Sequence, residues 1–249
     1  MRNLEPGGTN PGTHQPFAVT HWSLVLAAGR DSTPDARAAM EKLCRTYWPP
    51  LYAFVRRSGH PPADAQDLTQ GFFLQFLQRN FLDDVDPRKG RFRSFLLASL
   101  KHYLSNERDR AHAQKRGGGL APISIDAQDA EGRYLHEPAD PMTPEKLYER
   151  RWALTVLDQA LARLQDEYAA SGRETIFAQL KGELTSDAAR APHAEIAREL
   201  DMTPGAVKVA AHRLRQRFGE VLRAEIAETV ARPEDIEEEI QHLFQALGS

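Results

Sequence analysis

Lys208, His212, Arg213, Arg215, Gln216 and Arg217 lie in one run that holds no acid between Ala206 and Phe218. Cations crowded on so short a segment suit recognition of a polyanion. A second basic run spans Arg88 to Arg116, where nine Lys and Arg stand against Glu107 and Asp109, a net of +7. Phe92, Phe95, His102 and Tyr103 are interleaved there with Arg91, Arg93, Lys101, Arg108 and Arg110. Aromatic faces beside cations suit unstacked bases and their phosphates; rings at this spacing suit a helical core equally well. A third group, Asp64, Asp67, Gly71, Gln75 and Gln78, shares one side of a helix with no Lys or Arg until Arg79. That face fits docking on a protein, or simple contact with solvent.

The elements that must position these groups all read as helices. In the stretch 193–218, Ile196, Ala197 and Leu200 give a short helix its apolar stripe, and Asp201 and Met202 make the turn. Asp tolerates a left-handed backbone better than most residues. Thr203 is a good N-cap, and Pro204 occupies the first helical position, where a missing N–H costs nothing. Val207, Ala211, Leu214 and Phe218 then face a core, with the positive charge on the other side. This is the pattern of a helix-turn-helix over 193–214 whose second helix enters a major groove; an ordinary αα-hairpin with a solvated basic face is the alternative. The helix is expected to continue through Val221, Leu222 and Ile226.

Upstream, Thr20 caps a short helix carrying Trp22, Val25 and Leu26. Another helix opens at Pro34, with Leu43, Cys44 and Tyr47 on one side, and Pro49 and Pro50 are expected to interrupt it. A helix from Ala63 to about Phe81 buries Ala65, Phe72, Phe73, Phe76 and Leu77. A loop turning on Asp86–Pro87 and Gly90 leads to a helix from about Phe92 to Gln114, ended by Gly117–Gly119. Thr143–Pro144–Glu145 is a capping signal for a helix carrying Leu147, Trp152, Leu154, Val156, Leu157, Leu161 and Leu164. A last helix follows Pro233 with Ile236, Ile240, Leu243, Phe244 and Leu247 inward. The expected fold is all-α: two small helical domains joined by a flexible linker, the second containing the helix-turn-helix. The boundaries are a disordered tail 1–16, a first domain 17–116, an acidic linker 117–143, a second domain 144–223 and an acidic amphipathic extension 224–249.

The 249 residues are 41% hydrophobic, sufficient for packed cores. The net charge of −3 hides segregation, because Ala224 to Ser249 carries one Arg against seven acids, a net of −6. Cys44 is the single cysteine, which excludes an internal disulfide and a Cys-based zinc site. Residues 1–16 lack the apolar core of a signal peptide, and no apolar run approaches the roughly 20 residues of a membrane span. A soluble, cytoplasmic protein that contacts no membrane is expected.

Two helical domains in this order resemble one family, the bacterial RNA polymerase sigma factors of the extracytoplasmic-function (ECF) group, which keep sigma regions two and four. The resemblance rests on Tyr52–Phe54–Val55, on Asp64–Ala65–Gln66–Asp67–Leu68–Thr69–Gln70 with Phe73, and on Arg91–Phe92–Arg93–Ser94–Phe95–Leu96. In the second half it rests on Glu195–Ile196–Ala197–Arg198–Glu199–Leu200, Gly205, Val207–Lys208 and His212–Arg213. It covers roughly residues 40–116 and 150–218.

The resemblance implies core RNA polymerase as partner, through its β′ clamp helices and β flap, promoter DNA as ligand, and an anti-sigma or other regulatory protein as a further partner. Asp64, Asp67, Gln70 and Gln75 would dock on polymerase. Arg91, Arg93, Phe95, Lys101, His102, Asn106, Arg108 and Arg110 would open and read the minus-ten element. Thr203, Gly205, Lys208, Val209, His212, Arg213 and Arg215 would read the minus-35 element, and the acidic linker would thread near the RNA exit path. Val209 suits contact with a thymine methyl or packing on a neighbouring domain. Departures from the family pattern, His102 for a common Asn and Asn106 for a common Asp among them, bear on promoter sequence. The final helix is expected to pack on the second domain and either modulate access to DNA or polymerase or cap the fold.

The competing reading is a stand-alone helix-turn-helix regulator, which leaves the Asp/Gln face and the basic-aromatic helix unexplained. Sequence motifs of metalloproteases, serine hydrolases and phosphate-binding loops do not occur. No catalytic residue, metal or cofactor is expected.

Overall fold

A computed structural model describes residues 34–78, 91–113, 142–184, 193–230 and 232–248. The expectations for the tail 1–16, the Thr20 helix, the turn at 86–90, the glycines 117–119 and most of the acidic linker lie outside these residues. Within them the regular structure is helical, with no strand. The elements are α1 (Pro34–Arg57), α2 (Pro62–Gln78), α3 (Phe92–Ala113), α4 (Pro144–Ala170), α5 (Glu174–Leu180), α6 (His193–Glu199), α7 (Pro204–Ala227) and α8 (Ile236–Gly248). Short 3₁₀ turns occupy Lys181–Glu183 and Pro233–Asp235.

Pro49 and Pro50 do not interrupt α1, which runs unbroken through both. Each proline removes one ladder N–H and costs about 3 kcal/mol. Against that, Leu43, Tyr47, Leu51, Phe54 and Val55 are all buried on either side of the pair. At about 1.5–3 kcal/mol for each large apolar side chain, burial outweighs two prolines. Tertiary packing overrides the local signal here.

The capping signals act as the sequence suggests. Thr143 accepts a hydrogen bond from the Lys146 amide at 3.3 Å, with Pro144 at the first position of α4. Thr203 accepts one from the Ala206 amide at 3.2 Å at the start of α7. Between α6 and α7 the chain turns on Asp201, whose φ of 51° lies in the left-handed region.

Helix α4 is the central post, contacting α1, α5, α7 and α8. A single apolar cluster runs from Leu43 and Leu51 through Trp152 and Val156 to Leu214, Leu222 and Leu243. Helices from both halves of the chain therefore share one core. Polar ties follow the same junction: Lys42 pairs with Glu225 at 2.8 Å and with Glu228, Arg163 reaches Glu225 at 3.0 Å, and Thr46 bonds Gln159.

Helix α8 rests on α4 and α7. Leu243 is buried and Ile236, Ile240 and Leu247 are partly buried against the core, but Phe244 is 58% exposed rather than inward. The physical reason is that Glu239, only 1% exposed, takes an inward place on the same face, which turns Phe244 to solvent.

Arg217 of α7 grips Glu167 of α4 through two bonds, at 2.8 and 2.9 Å, and these hold the carboxyl below the usual range. A depressed native value stabilises the fold above the unfolded value of about 4.3, and that contribution is lost as pH falls through the native value. Both groups are partly exposed, so Arg217→Ala is expected to cost only a few tenths of a kcal/mol at pH 7. Thermal melts should show that cost fading below about pH 4.

Candidate nucleic-acid interface

Helix α7 buries Val207, Ala211 and Leu214 and leaves Thr203, Gly205, Lys208, Val209, His212, Arg213 and Arg215 exposed. These are the seven positions expected to read duplex DNA, and one helix with its N-cap presents all of them. Val209 is 50% exposed, an apolar group among donors. Arg215 is anchored, its Nε donating to the Glu183 carbonyl at 3.2 Å and its guanidinium pairing with the Glu183 carboxylate. The other carboxylate oxygen lies 3.1 Å from His193 Nε2. Glu183 thus ties the 3₁₀ turn to the start of α6 and the middle of α7. Lys208, His212 and Arg213 have no ion-pair partner among the described residues.

The basic strip of α3 is arranged differently. Arg93 is 3% exposed. Its guanidinium donates to Glu239 at 2.7 and 3.3 Å, pairs with Glu149 and lies 4.7 Å from the centre of the Trp152 ring. Its carbonyl accepts from Tyr148 Oη at 2.9 Å. Arg91 pairs with Glu239 at 2.9 Å and with Glu238. Lys101 pairs with Glu145 at 2.7 Å and holds that carboxyl below its usual range. Three of the cations expected at the minus-ten element are therefore bound by acids of α4 and α8. Burial, and then Arg91 and Arg93, lower the pKa of His242 on α8.

The rings of α3 serve the core. Phe92 is buried, with its centroid 5.2 Å from Tyr47. Phe95 is half-buried, 6.3 Å from Phe76, and Tyr103 stands edge-on to Phe72 at 5.8 Å. His102, Arg108 and Arg110 are exposed and Asn106 is half-buried. Arg110 bonds Glu107 one turn away at 2.7 Å.

On α2, Asp64 and Asp67 are exposed and Gln75 is half-buried, while Gln70 is only 5% exposed. Gln70 thus sits on the core side of α2 and not on its outer face. At 100° per residue it lies about 60° from Phe73, inside the apolar arc. An open cleft of about 730 Å³ between α1, α2 and α3 is lined by Phe54, His60, Asp64, Asp67, Lys101 and Arg108. A smaller groove of about 80 Å³ brings Gln75 beside His102 and Asn106. The Asp/Gln face of α2 and the basic strip of α3 thus meet along these clefts.

Gly71 has a packing role that its place on the polar face does not suggest. A Cβ there would run into Tyr103 Oη, well inside van der Waals contact. Burial, and then Glu107, push the Tyr103 hydroxyl up to about 12. Gly71→Ala is expected to destabilise by about 1 kcal/mol through this overlap. Adding Tyr103→Phe should recover most of that loss in urea unfolding; no recovery would place the strain elsewhere.

Sequence reasoning missed the pairing of Glu145, Glu149, Glu183, Glu238 and Glu239 with Lys101, Arg91, Arg93 and Arg215. A signal existed for one of them. Glu239 falls in register with Ile236, Ile240 and Leu243, so an acid occupies an apolar stripe and requires a buried cation.

A small helical module with an acidic outer face and a basic strip, packed against a second helical unit with an exposed basic helix, is the architecture described. Residues 43–113, from within α1 to the end of α3, match the family model described as Sigma-70 region 2. The match covers less than a third of the chain and supports a sigma-70 family factor. No curated protein and no solved structure matches the chain. Among the described residues no helix is long and apolar enough to cross a membrane, and no group of three or more His, Cys, Asp or Glu could hold a metal ion.

Proposed function

We propose that the chain is a sigma factor of the ECF type, which binds core RNA polymerase and directs promoter recognition and opening. The observation that carries this reading is the region 2 match over 43–113 together with an exposed basic face on α7. In this reading Asp64 and Asp67 dock on the β′ clamp helices. The α3 strip, with His102, Asn106, Arg108 and Arg110, handles the single-stranded minus-ten element. Helices α6 and α7 form a helix-turn-helix that reads the minus-35 duplex through Lys208, Val209, His212 and Arg213, and contact the β flap. The protein needs no catalysis of its own, because the polymerase supplies the chemistry.

Run-off transcription with bacterial core polymerase on fragments of the source genome tests the reading. Discrete starts that require the protein are expected. Duplex binding by the protein alone, without core binding or initiation, would instead support a stand-alone regulator. Lys208→Ala with Arg213→Ala is expected to lower promoter-duplex affinity about 10- to 100-fold, since a bidentate base contact contributes about 1–3 kcal/mol. Far-UV circular dichroism of the double variant should match the parent, because both side chains are exposed.

A further inference from the structure

The two cationic surfaces of this chain are in opposite states. On α7, Lys208, His212 and Arg213 are exposed with no ion-pair partner among the described residues. Arg91, just before α3, and Arg93 and Lys101 on it are each held by carboxylates from the C-terminal half: Glu238 and Glu239, Glu239 and Glu149, and Glu145. A phosphate oxygen must come within hydrogen-bond distance of a guanidinium to bind it. Arg93 is 3% exposed, and α8 covers it through Glu239. With α8 in place the guanidinium has almost no surface left for a phosphate.

We propose that α8 is an internal occupant of the single-strand surface, its Glu238 and Glu239 standing where nucleic-acid phosphates would bind Arg91 and Arg93. The free chain therefore presents an open duplex-reading face and a closed single-strand face, and single-stranded nucleic acid and α8 compete for the same two arginines. This rests on the sigma-factor reading of α3 given above. The geometry suits a competitor that can leave. Helix α8 rests on α4 and α7, and Leu243 is its one fully buried apolar side chain. Its other apolar groups, Ile236, Ile240 and Leu247, are only partly buried. Displacing α8 removes both carboxylates from Arg91 and leaves Arg93 with Glu149 and the Trp152 ring.

Two kinds of variant loosen α8 by different routes in the full chain. Glu238→Gln with Glu239→Gln removes the competing charge and keeps the shape; Leu243→Ala removes the apolar anchor and keeps the charge. Fluorescence anisotropy would follow binding of a labelled oligo(dT) of about 20 nucleotides, a length that spans a single-strand site. A random-sequence duplex serves as the internal control. Both variants are expected to bind the single strand about tenfold more tightly, a factor within the reach of one freed charge-assisted contact. For the charge variant the salt slope should steepen by about 1.4, two phosphates at about 0.7 each. Duplex affinity should not change, because the α7 face is already open. Hydrogen exchange over residues 236–248 reports whether α8 has loosened.

Loosened α8 with unchanged single-strand affinity would overturn the proposal and leave α8 a structural cap. Unchanged exchange at α8 in both variants, with unchanged affinity, would overturn it as well, since α8 then never leaves. If neither parent nor variants bind single strands while all bind duplex, the proposal falls because α3 is not a single-strand surface. That last pattern locates the fault in the functional reading and not in α8.

Discussion

Trp152→Ala is expected to cost about 3–5 kcal/mol, the range for emptying a fully buried aromatic site. Trp152 has no exposed surface and stands in the one cluster that joins α1, α4, α7 and α8. The Arg93 guanidinium lies over its ring at 4.7 Å, so a cation–π contact goes with the cavity. For a chain of this size that cost corresponds to a fall of about 6–20 °C in melting temperature. The more telling outcome is the shape of the transition. Because the two halves share a core, Trp48 fluorescence in α1, read with Trp22→Phe, and far-UV circular dichroism should fall together. A Trp48 signal that keeps its parental midpoint while most helix is lost would show that the halves fold independently. Trp152→Phe is the control: it keeps an aromatic ring in the site and gives up only the outer part of the indole, with the Nε1 beside Tyr47.

Arg93→Ala is the second large effect, about 3 kcal/mol, the low end of the range for removing one member of a buried ion pair, because Glu239 keeps Arg91 at 2.9 Å. Glu239, at 1% exposure, would lose its double hydrogen bond, and Glu149 would lose its pair. Glu239→Ala should cost a similar amount by leaving Arg93 short of a carboxylate. Removing both leaves fewer unmatched charges, so the double variant should cost clearly less than the sum. A coupling on the order of 1–3 kcal/mol in urea unfolding is expected for residues in direct contact. Additivity to within about 0.5 kcal/mol would mean the pair is not coupled and the packing around Trp152 carries the energy. Arg93→Lys should recover only part of the loss, since lysine cannot make the bidentate contact or stack on the indole.

These two residues also mark where the sequence was legible and where it was not. Helix positions, the Thr143 and Thr203 caps and the left-handed Asp201 follow from local chemistry, and local chemistry is present in a single sequence. The exposed face of α7 was legible for the same reason, since Val207, Ala211 and Leu214 fix which side is buried. Pro49 and Pro50 misled because a local penalty was outweighed by the burial of Leu51, Phe54 and Val55. Arg93 misled more deeply. Charge counting along α3 assigns it to a ligand, but its partners sit 56 and 146 residues away along the chain. No periodicity reports a pairing at such distance. Gln70 is the intermediate case, because a helical wheel places it near Phe73 while motif resemblance places it on the docking face.

The 146 residues between Arg93 and Glu239 also separate two moments in synthesis. At about 5–20 residues per second, α3 leaves the ribosome some 7–30 seconds before α8 is complete. Throughout that interval Arg91 lacks its α8 carboxylates and Arg93 has at most Glu149, and the nearest large polyanion is ribosomal RNA. The newborn chain therefore meets nucleic acid in its uncovered form before it first acquires its own cover.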